Sequence, residues 1–195
     1  MYDDLAARQS LLTTLEAIPA VDSEARRHID SARAWITSGA PLWRTEKPAT
    51  PPTHLVAYTL LRDSDTERLL LVHHRKAGLL LPAGGHVEPG EAPWATAVRE
   101  IGEEFDHVVS GPSQEPVFVS VTETRGAGRH VDVSLWFVID ADPNQITWYD
   151  QTEFDGIAWL TRDEILAMPA DTLDPHMHRF LTTVQPIYPV GRESD

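Results

Sequence analysis

Glu100, Glu103 and Glu104 stand at i, i+3 and i+4 in residues 93–105, a stretch whose pattern predicts a helix. That spacing clusters three carboxylates within one turn of a single helix face. Carboxylates so close repel, raise one another's pKa values and weaken the helix unless a cation compensates. A hard divalent ion does so, since oxygen ligands at about 2.0–2.6 Å suit magnesium, manganese or calcium. Arg99, four residues before Glu103, can hold one carboxylate in place. An acidic run on a helix is also an ordinary solvated face. The preceding segment, Gly84-Gly85-His86-Val87-Glu88-Pro89-Gly90-Glu91, shifts that balance. Its glycines let backbone approach a ligand closely and present a carbonyl to the same ion.

Gly85, five residues, Glu91, seven residues, and then Arg99-Glu100-Ile101-Gly102-Glu103-Glu104 resemble the signature of the Nudix hydrolases. The family pattern continues with any residue, a Gly and an aliphatic; here Asp106 and His107 take the last two places. Asp tolerates the left-handed conformation of a helix exit better than most residues, so an altered exit is expected and not a dead site. The resemblance implies Glu100 and Glu104 as primary Mg2+ ligands, with Mn2+ an acceptable substitute. It makes Glu103 a third ligand or the base acting on the attacking water, and the Gly84 carbonyl the last protein ligand. Glu91 and Arg99 would pair to lock loop to helix. Family members often use a further carboxylate outside the signature; Glu153 and Asp155 are candidates, as are Glu123 and Asp132. The candidate catalytic residues are thus Glu103, Arg99 and Glu153, and the candidate metal ligands Gly84, Glu100, Glu103 and Glu104.

These residues need elements to hold them. Pro93 suits a first helical position, and Trp94, Val98, Ile101 and Phe105 make one apolar stripe to press on a sheet. Leu55–Leu61 and Leu69–His73 read as strands of a hairpin turning at Asp63-Ser64-Asp65, followed by a Gly/Pro-rich loop over 82–90. Val117–Thr124 and Val131–Ile139 read as a second strand pair around Gly126-Ala127-Gly128, and Phe154–Leu160 as a further strand. Helices are expected near 162–168 and 174–184. Before Pro48-Ala49-Thr50-Pro51-Pro52, a stiff linker, two helices carry Leu5, Leu12, Leu15 and Ile18, then Ala25, Ile29, Ala32, Trp35 and Ile36. The expected fold is α/β, a Nudix-type α/β/α sandwich with an N-terminal helical extension: 1–53 extension and linker, 54–185 the Nudix domain, 186–195 a tail.

Weaker signals are set aside. His73 and His74, adjacent on a strand, point to opposite faces, and His176 and His178 lie about 200° apart on a helix, so neither pair chelates. Arg75 or Lys76 could meet a phosphate. Asp140-Ala141-Asp142-Pro143-Asn144 imitates an EF-hand start but lacks its glycine and closing glutamate. Trp94, Trp136 and Trp159 read as core, whereas Trp43 beside Arg44 is the tryptophan to watch for nucleobase contact.

Composition narrows the function. With 195 residues, 16 basic and 30 acidic, the net charge is −14, which disfavours long nucleic acid. Zero cysteines exclude disulfides, thiolate zinc sites and a thiol nucleophile. They also disfavour the family's isoprenoid-diphosphate isomerases, which use a cysteine. No apolar run is long enough for a membrane span, and the acidic start Met1-Tyr2-Asp3-Asp4 does not read as a signal peptide, so a cytoplasmic location is expected. The expected function is magnesium-dependent hydrolysis, by metal-activated water, of a nucleoside diphosphate linked to another moiety. A non-catalytic nucleotide-sensing module of the same fold is the alternative, disfavoured by the intact glutamates. The expected partner is a small phosphorylated nucleotide-like substrate, and the N-terminal helices could pair in a homodimer.

Overall fold

Alternate residues of the central strands enter different cores, and that division sets the architecture. The computed structural model describes residues 4–47, 50–124 and 128–184. The chain runs α1 (Asp4–Ala17), α2 (Ser23–Thr37), β1 (Thr53–Arg62), β2 (Leu69–His74), β3 (Leu79–Leu81), β4 (Ala83–His86) and α3 (Pro93–Phe105). It continues with β5 (Phe118–Glu123), β6 (Val131–Asp140), β7 (Phe154–Leu160), α4 (Arg162–Ala167) and α5 (Met177–Thr183). The strands order as β3-β2-β1-β6-β5, with β4 also on β1 and β7 on β2. β1 and β6 are parallel from Thr53↔Val131 to Arg62↔Asp140, and the other pairs are antiparallel.

On one face Leu55, Ala57, Val133, Leu135 and Phe137 pack with α1 and α2, and Leu61, Leu70 and Val72 pack with Ile101 and Phe105 of α3. On the other, Leu60, Leu69, Leu71 and Trp136 meet Ile165 of α4 and Met177, Phe180 and Leu181 of α5. The result is the expected α/β/α sandwich with helices before it.

The N-terminal helices share the sheet's core. α1 buries Ala7, Leu11 and Leu15, with Ile18 just beyond it, while Leu5 is 62% exposed; the buried stripe is therefore rotated from the expected one. α2 buries Ala25, Ile29, Ala32 and Ile36 and is capped by Asp22, whose side chain accepts from the Ala25 N–H. Helices of this length are marginal alone, whereas each large apolar side chain buried here contributes about 1.5–3 kcal/mol. His28 of α2 accepts the Val121 N–H through Nδ1 (3.0 Å), which occupies a donor on the edge strand β5.

Three expectations change. β1 and β2 meet only at the turn, through Arg62↔Leu69, because the rest of β1 is taken by β4 and β6. The loop over 82–90 begins as strand β4, whose glycines hid its β-character, and β3 precedes it. The last helix starts at Met177, later than position 174, because Asp174 turns the chain before it. Residues 48–49 of the linker, 126–127 of the turn and the 186–195 tail lie outside the described residues.

Asp174 is 5% exposed, with its N–H donating to the Leu80 carbonyl (2.9 Å) and its Oδ1 accepting the His176 N–H (2.8 Å). Burial pushes its carboxyl up from 3.8 to about 6, aided by Asp132 and opposed by the His176 amide. The folded state thus binds this proton more tightly than the unfolded one. No cost arises below 3.8; it grows as pH rises and is complete above about 6. The gap corresponds to at most roughly 3 kcal/mol. Asp174→Asn keeps an acceptor and removes the charge, so urea titrations should show the variant gaining on the parent across that window and exceeding it at neutral pH. A variant less stable at pH 7 contradicts this account.

Candidate active site

α3 carries the acidic cluster because its other side is anchored. Ala97, Ile101 and Phe105 are buried, Trp94 packs partly, and Val98, expected in the stripe, is only half-buried. Thr96 and Glu104 are buried instead, drawn in by polar partners. Thr96 donates through Oγ1 to Glu91 (2.6 Å), and the Gly84 N–H donates to both Glu104 carboxylate oxygens (3.3 and 3.1 Å).

Arg99 is the hub. Its Nε and Nη2 donate to the two oxygens of Glu91 (3.0 and 3.1 Å), a bidentate pair. Its Nη1 donates to Glu100 (2.9 Å) and Glu103 (3.1 Å), and Nη2 also reaches the His86 carbonyl (3.3 Å). These partners, Glu91 foremost, hold Arg99 above its ordinary value. Glu91 is held below the usual carboxylate range although burial opposes this, because Arg99, Thr96 and the Glu88 N–H all donate to it.

The remaining glutamates lack such help. Burial pushes Glu104 well above the usual range, with Glu100, Glu153 and Glu103 adding repulsion. Burial also raises Glu100, Arg99 opposing and Glu103 and Glu153 adding to it. Glu103 is the open member, its side chain 63% exposed. A hard oxygen donor set under mutual repulsion and partial burial is the environment a divalent cation relieves.

Two glycines permit this approach. Gly84 has φ +129°, and a Cβ there would collide with the Ala57 carbonyl oxygen; a Cβ on Gly85 would collide with the Glu100 carboxylate. The cleft in front, about 610 Å³, is lined by Gly84, Gly85, His86, Arg99, Glu100 and Glu153, together with Arg44 and Lys47. Those two cations precede the first strand and carry no motif, so sequence reading missed them as a pair.

The other candidates separate clearly. Glu153 lines the cleft, with His74 Nε2 3.6 Å away. Asp155 pairs with Arg75 (2.8 Å), which also donates to the Gln151 carbonyl, so Arg75 is engaged outside the glutamate cluster. Exposed Glu123 pairs with Arg129. Asp132 lies among His54, His86 and His130. His178 contacts the Ile165 carbonyl, and His176 instead meets His28 and Glu24 between α5 and α2, where Arg179 also reaches Glu24 (3.6 Å). Trp136 is a buried core residue, Trp94 and Trp159 are partly buried against the core, and Trp43 packs partly buried against the α1/α2 core. Burial first, then Arg44 and the neighbouring imidazoles, push His86 down to about 2, so it is neutral.

The NUDIX domain profile matches residues 52–184, and the chain belongs to the Nudix family. Its hydrolases generally cut diphosphate linkages in small nucleotide-like substrates and typically use a divalent metal. The chain is similar to a MutT NUDIX hydrolase from Burkholderia pseudomallei, at 20% identity and TM-score 0.52, over 68% of this chain and 98% of that one. It is also similar to a NUDIX-family hydrolase from Clostridium perfringens, at 18% identity and TM-score 0.51, over 66% and 93%. No curated protein matches the chain significantly. Among the described residues, no helix is long and apolar enough to cross a membrane.

Asp106 closes α3 with φ 51° and ψ 36°, the left-handed conformation, and its N–H donates to the Gly102 carbonyl (3.1 Å). Asp106→Gly removes backbone strain but adds unfolded-state freedom, so stability should change by at most about 1 kcal/mol. Thermal melts with a parallel turnover assay check this. A large loss of turnover in a stable variant assigns Asp106 a chemical role.

Proposed function

We propose that the protein is a magnesium-dependent pyrophosphohydrolase acting on a nucleoside diphosphate linked to another moiety. The observation that carries the reading is the mutually repelling pair of half-buried Glu100 and buried Glu104 beside Gly84, next to a cleft that Arg44 and Lys47 also line. Gly84, Glu100, Glu103 and Glu104 would hold Mg2+, and Mn2+ fits the same hard donors. When bound, the ion neutralises phosphoryl oxygens and acidifies water.

The chain's own residues do the rest. Arg99 and Glu91 keep the Gly84–Glu91 loop in register with α3, so the carboxylates stay in place as substrate enters. Arg44 and Lys47 give an otherwise acidic chain a cationic wall that draws in a diphosphate. Glu103, the exposed carboxylate of the cluster, is either the third ligand or the base that accepts the proton of the attacking water; Glu153, which lines the cleft, is the second candidate base. On this reading residues 54–185 carry the chemistry and residues 1–53 are an N-terminal extension.

Glu103→Gln and Glu104→Gln each remove a charge while nearly keeping shape. Both should fold, Glu104→Gln with an unchanged or higher melting temperature in chelator, since a buried carboxylate held above its usual range is lost. Turnover of a nucleoside diphosphate derivative panel with Mg2+ should fall at least about 100-fold in each. Unchanged turnover in either variant refutes the assignment. Nucleotide binding by the parent with no product across the panel would instead identify a sensing module.

A further inference from the structure

Three histidines and an aspartate converge on the sheet face opposite α3, and of the four His86 also borders the glutamate cleft. His54 and Asp132 are register partners on parallel β1 and β6, and His86 of β4 faces Val56, two residues along β1. His130 precedes Asp132 by two. Register partners and i, i+2 neighbours share a sheet face, so pairing alone gathers these four side chains. The Nε2 atoms of His130, His54 and His86 lie 3.3, 3.4 and 3.8 Å from Asp132 Oδ1. All four donor atoms lie within 4.8 Å of one another. An ion with tetrahedral bonds of about 2.0–2.1 Å separates its donors by about 3.3 Å. Charge-assisted hydrogen bonds are shorter, about 2.7–2.9 Å.

The placement of protons is an independent indication. His54 Nδ1 lies 2.9 Å from the Pro51 carbonyl oxygen and His130 Nδ1 2.8 Å from that of Gly128. Carbonyls only accept, so both Nδ1 atoms carry hydrogen, and Nε2 is the nitrogen that each ring turns toward Asp132. His54 is fully buried, and its Nε2 and Asp132 Oδ1 have no hydrogen-bond partner among the described residues. Buried polar atoms left unpaired at this spacing are the kind that a cation lying between them satisfies.

We propose that His54, His86, His130 and Asp132 form a second metal site, for a divalent transition ion of the zinc type. Three imidazoles and one carboxylate suit Zn2+ and Co2+ and are poor ligands for Mg2+. Four protein ligands close the coordination sphere, which makes the ion structural: it ties together the ends of β4, β1 and β6. Arg44 donates through Nη1 to His86 Nε2 (3.3 Å), the lone pair the ion needs. Occupation therefore releases Arg44 from His86.

The test uses the full chain without a histidine tag, stripped by chelator and titrated with Co2+ and Zn2+. One equivalent of Co2+ should give the intense visible bands of a tetrahedral site, displaced by Zn2+. Glu103→Gln should keep those bands and Arg44→Ala should bind at least as tightly. His130→Gln, at the partly exposed rim, should lose the bands and weaken zinc binding roughly 100-fold. Zinc X-ray absorption of the unmutated chain should show three imidazoles and one oxygen, a readout independent of any variant's folding. Only weak octahedral cobalt absorption, an all-oxygen zinc shell, or bands that vanish in Glu103→Gln and persist in His130→Gln would overturn the site and leave the glutamate assignment standing.

Discussion

The five donors of Arg99 are spread over Glu91, Glu100, Glu103 and the His86 carbonyl, and through them the glycine loop and α3 become one body. Its side chain is 26% exposed, so each contact is partly screened and its worth is less energy than geometry. A planar guanidinium fixes directions as well as distances, which the point charge of a lysine cannot do. It also sets the division of labour among the carboxylates. Glu91 is saturated and structural, Glu100 is half-compensated, and Glu104 has only an amide from Gly84. Ligand character thus rises as neutralisation falls.

That hub works only because β4 lies on β1. Tyr58↔Gly84 and Ala57↔Gly85 put the glycines against the strand that underlies α3, and the absent Cβ atoms leave room for the Ala57 carbonyl and the Glu100 carboxylate. The pairing also withdraws β1 from a full hairpin with β2. β2 then pairs with β7, which brings Glu153 to the cleft at the far end of the chain's sheet. Local chemistry and topology are one constraint here: a loop that must approach a helix closely has to be a strand edge without side chains.

The spacing of charges and glycines made the glutamate cluster readable, since a helix turns i, i+3 and i+4 into neighbours without tertiary information. Apolar alternation likewise revealed β1, β2, β5, β6 and β7. β4 was hidden because Gly84 and Gly85 carry no β-propensity; their strand character comes wholly from pairing. The α3 stripe was misplaced by one position because Thr96 and Glu104 are buried for hydrogen bonds, which hydrophobic periodicity does not register. Leu5 was assigned inward by spacing, yet Leu11 fills the place because α1 meets the sheet at a rotation that only its partners determine. Arg44, His54 and Asp132 belong to three separate segments, and only the parallel β1/β6 register unites the last two.

His86 sits where these levels join. Its carbonyl accepts from Arg99 on the α3 side, while its ring lies with His54 and His130 on the other side and accepts from Arg44. Because β4 spans only Ala83–His86, the His86 ring stands two residues from Gly84 on the same paired strand. Arg44 faces both ways as well, lying against His86 and Asp132 on one side and lining the cleft near Glu100 on the other. An ion in the proposed histidine site would take the Nε2 lone pair that holds Arg44, leaving that guanidinium to the anionic charge in the cleft. The sheet separates the two sites, but one short strand and one guanidinium belong to both.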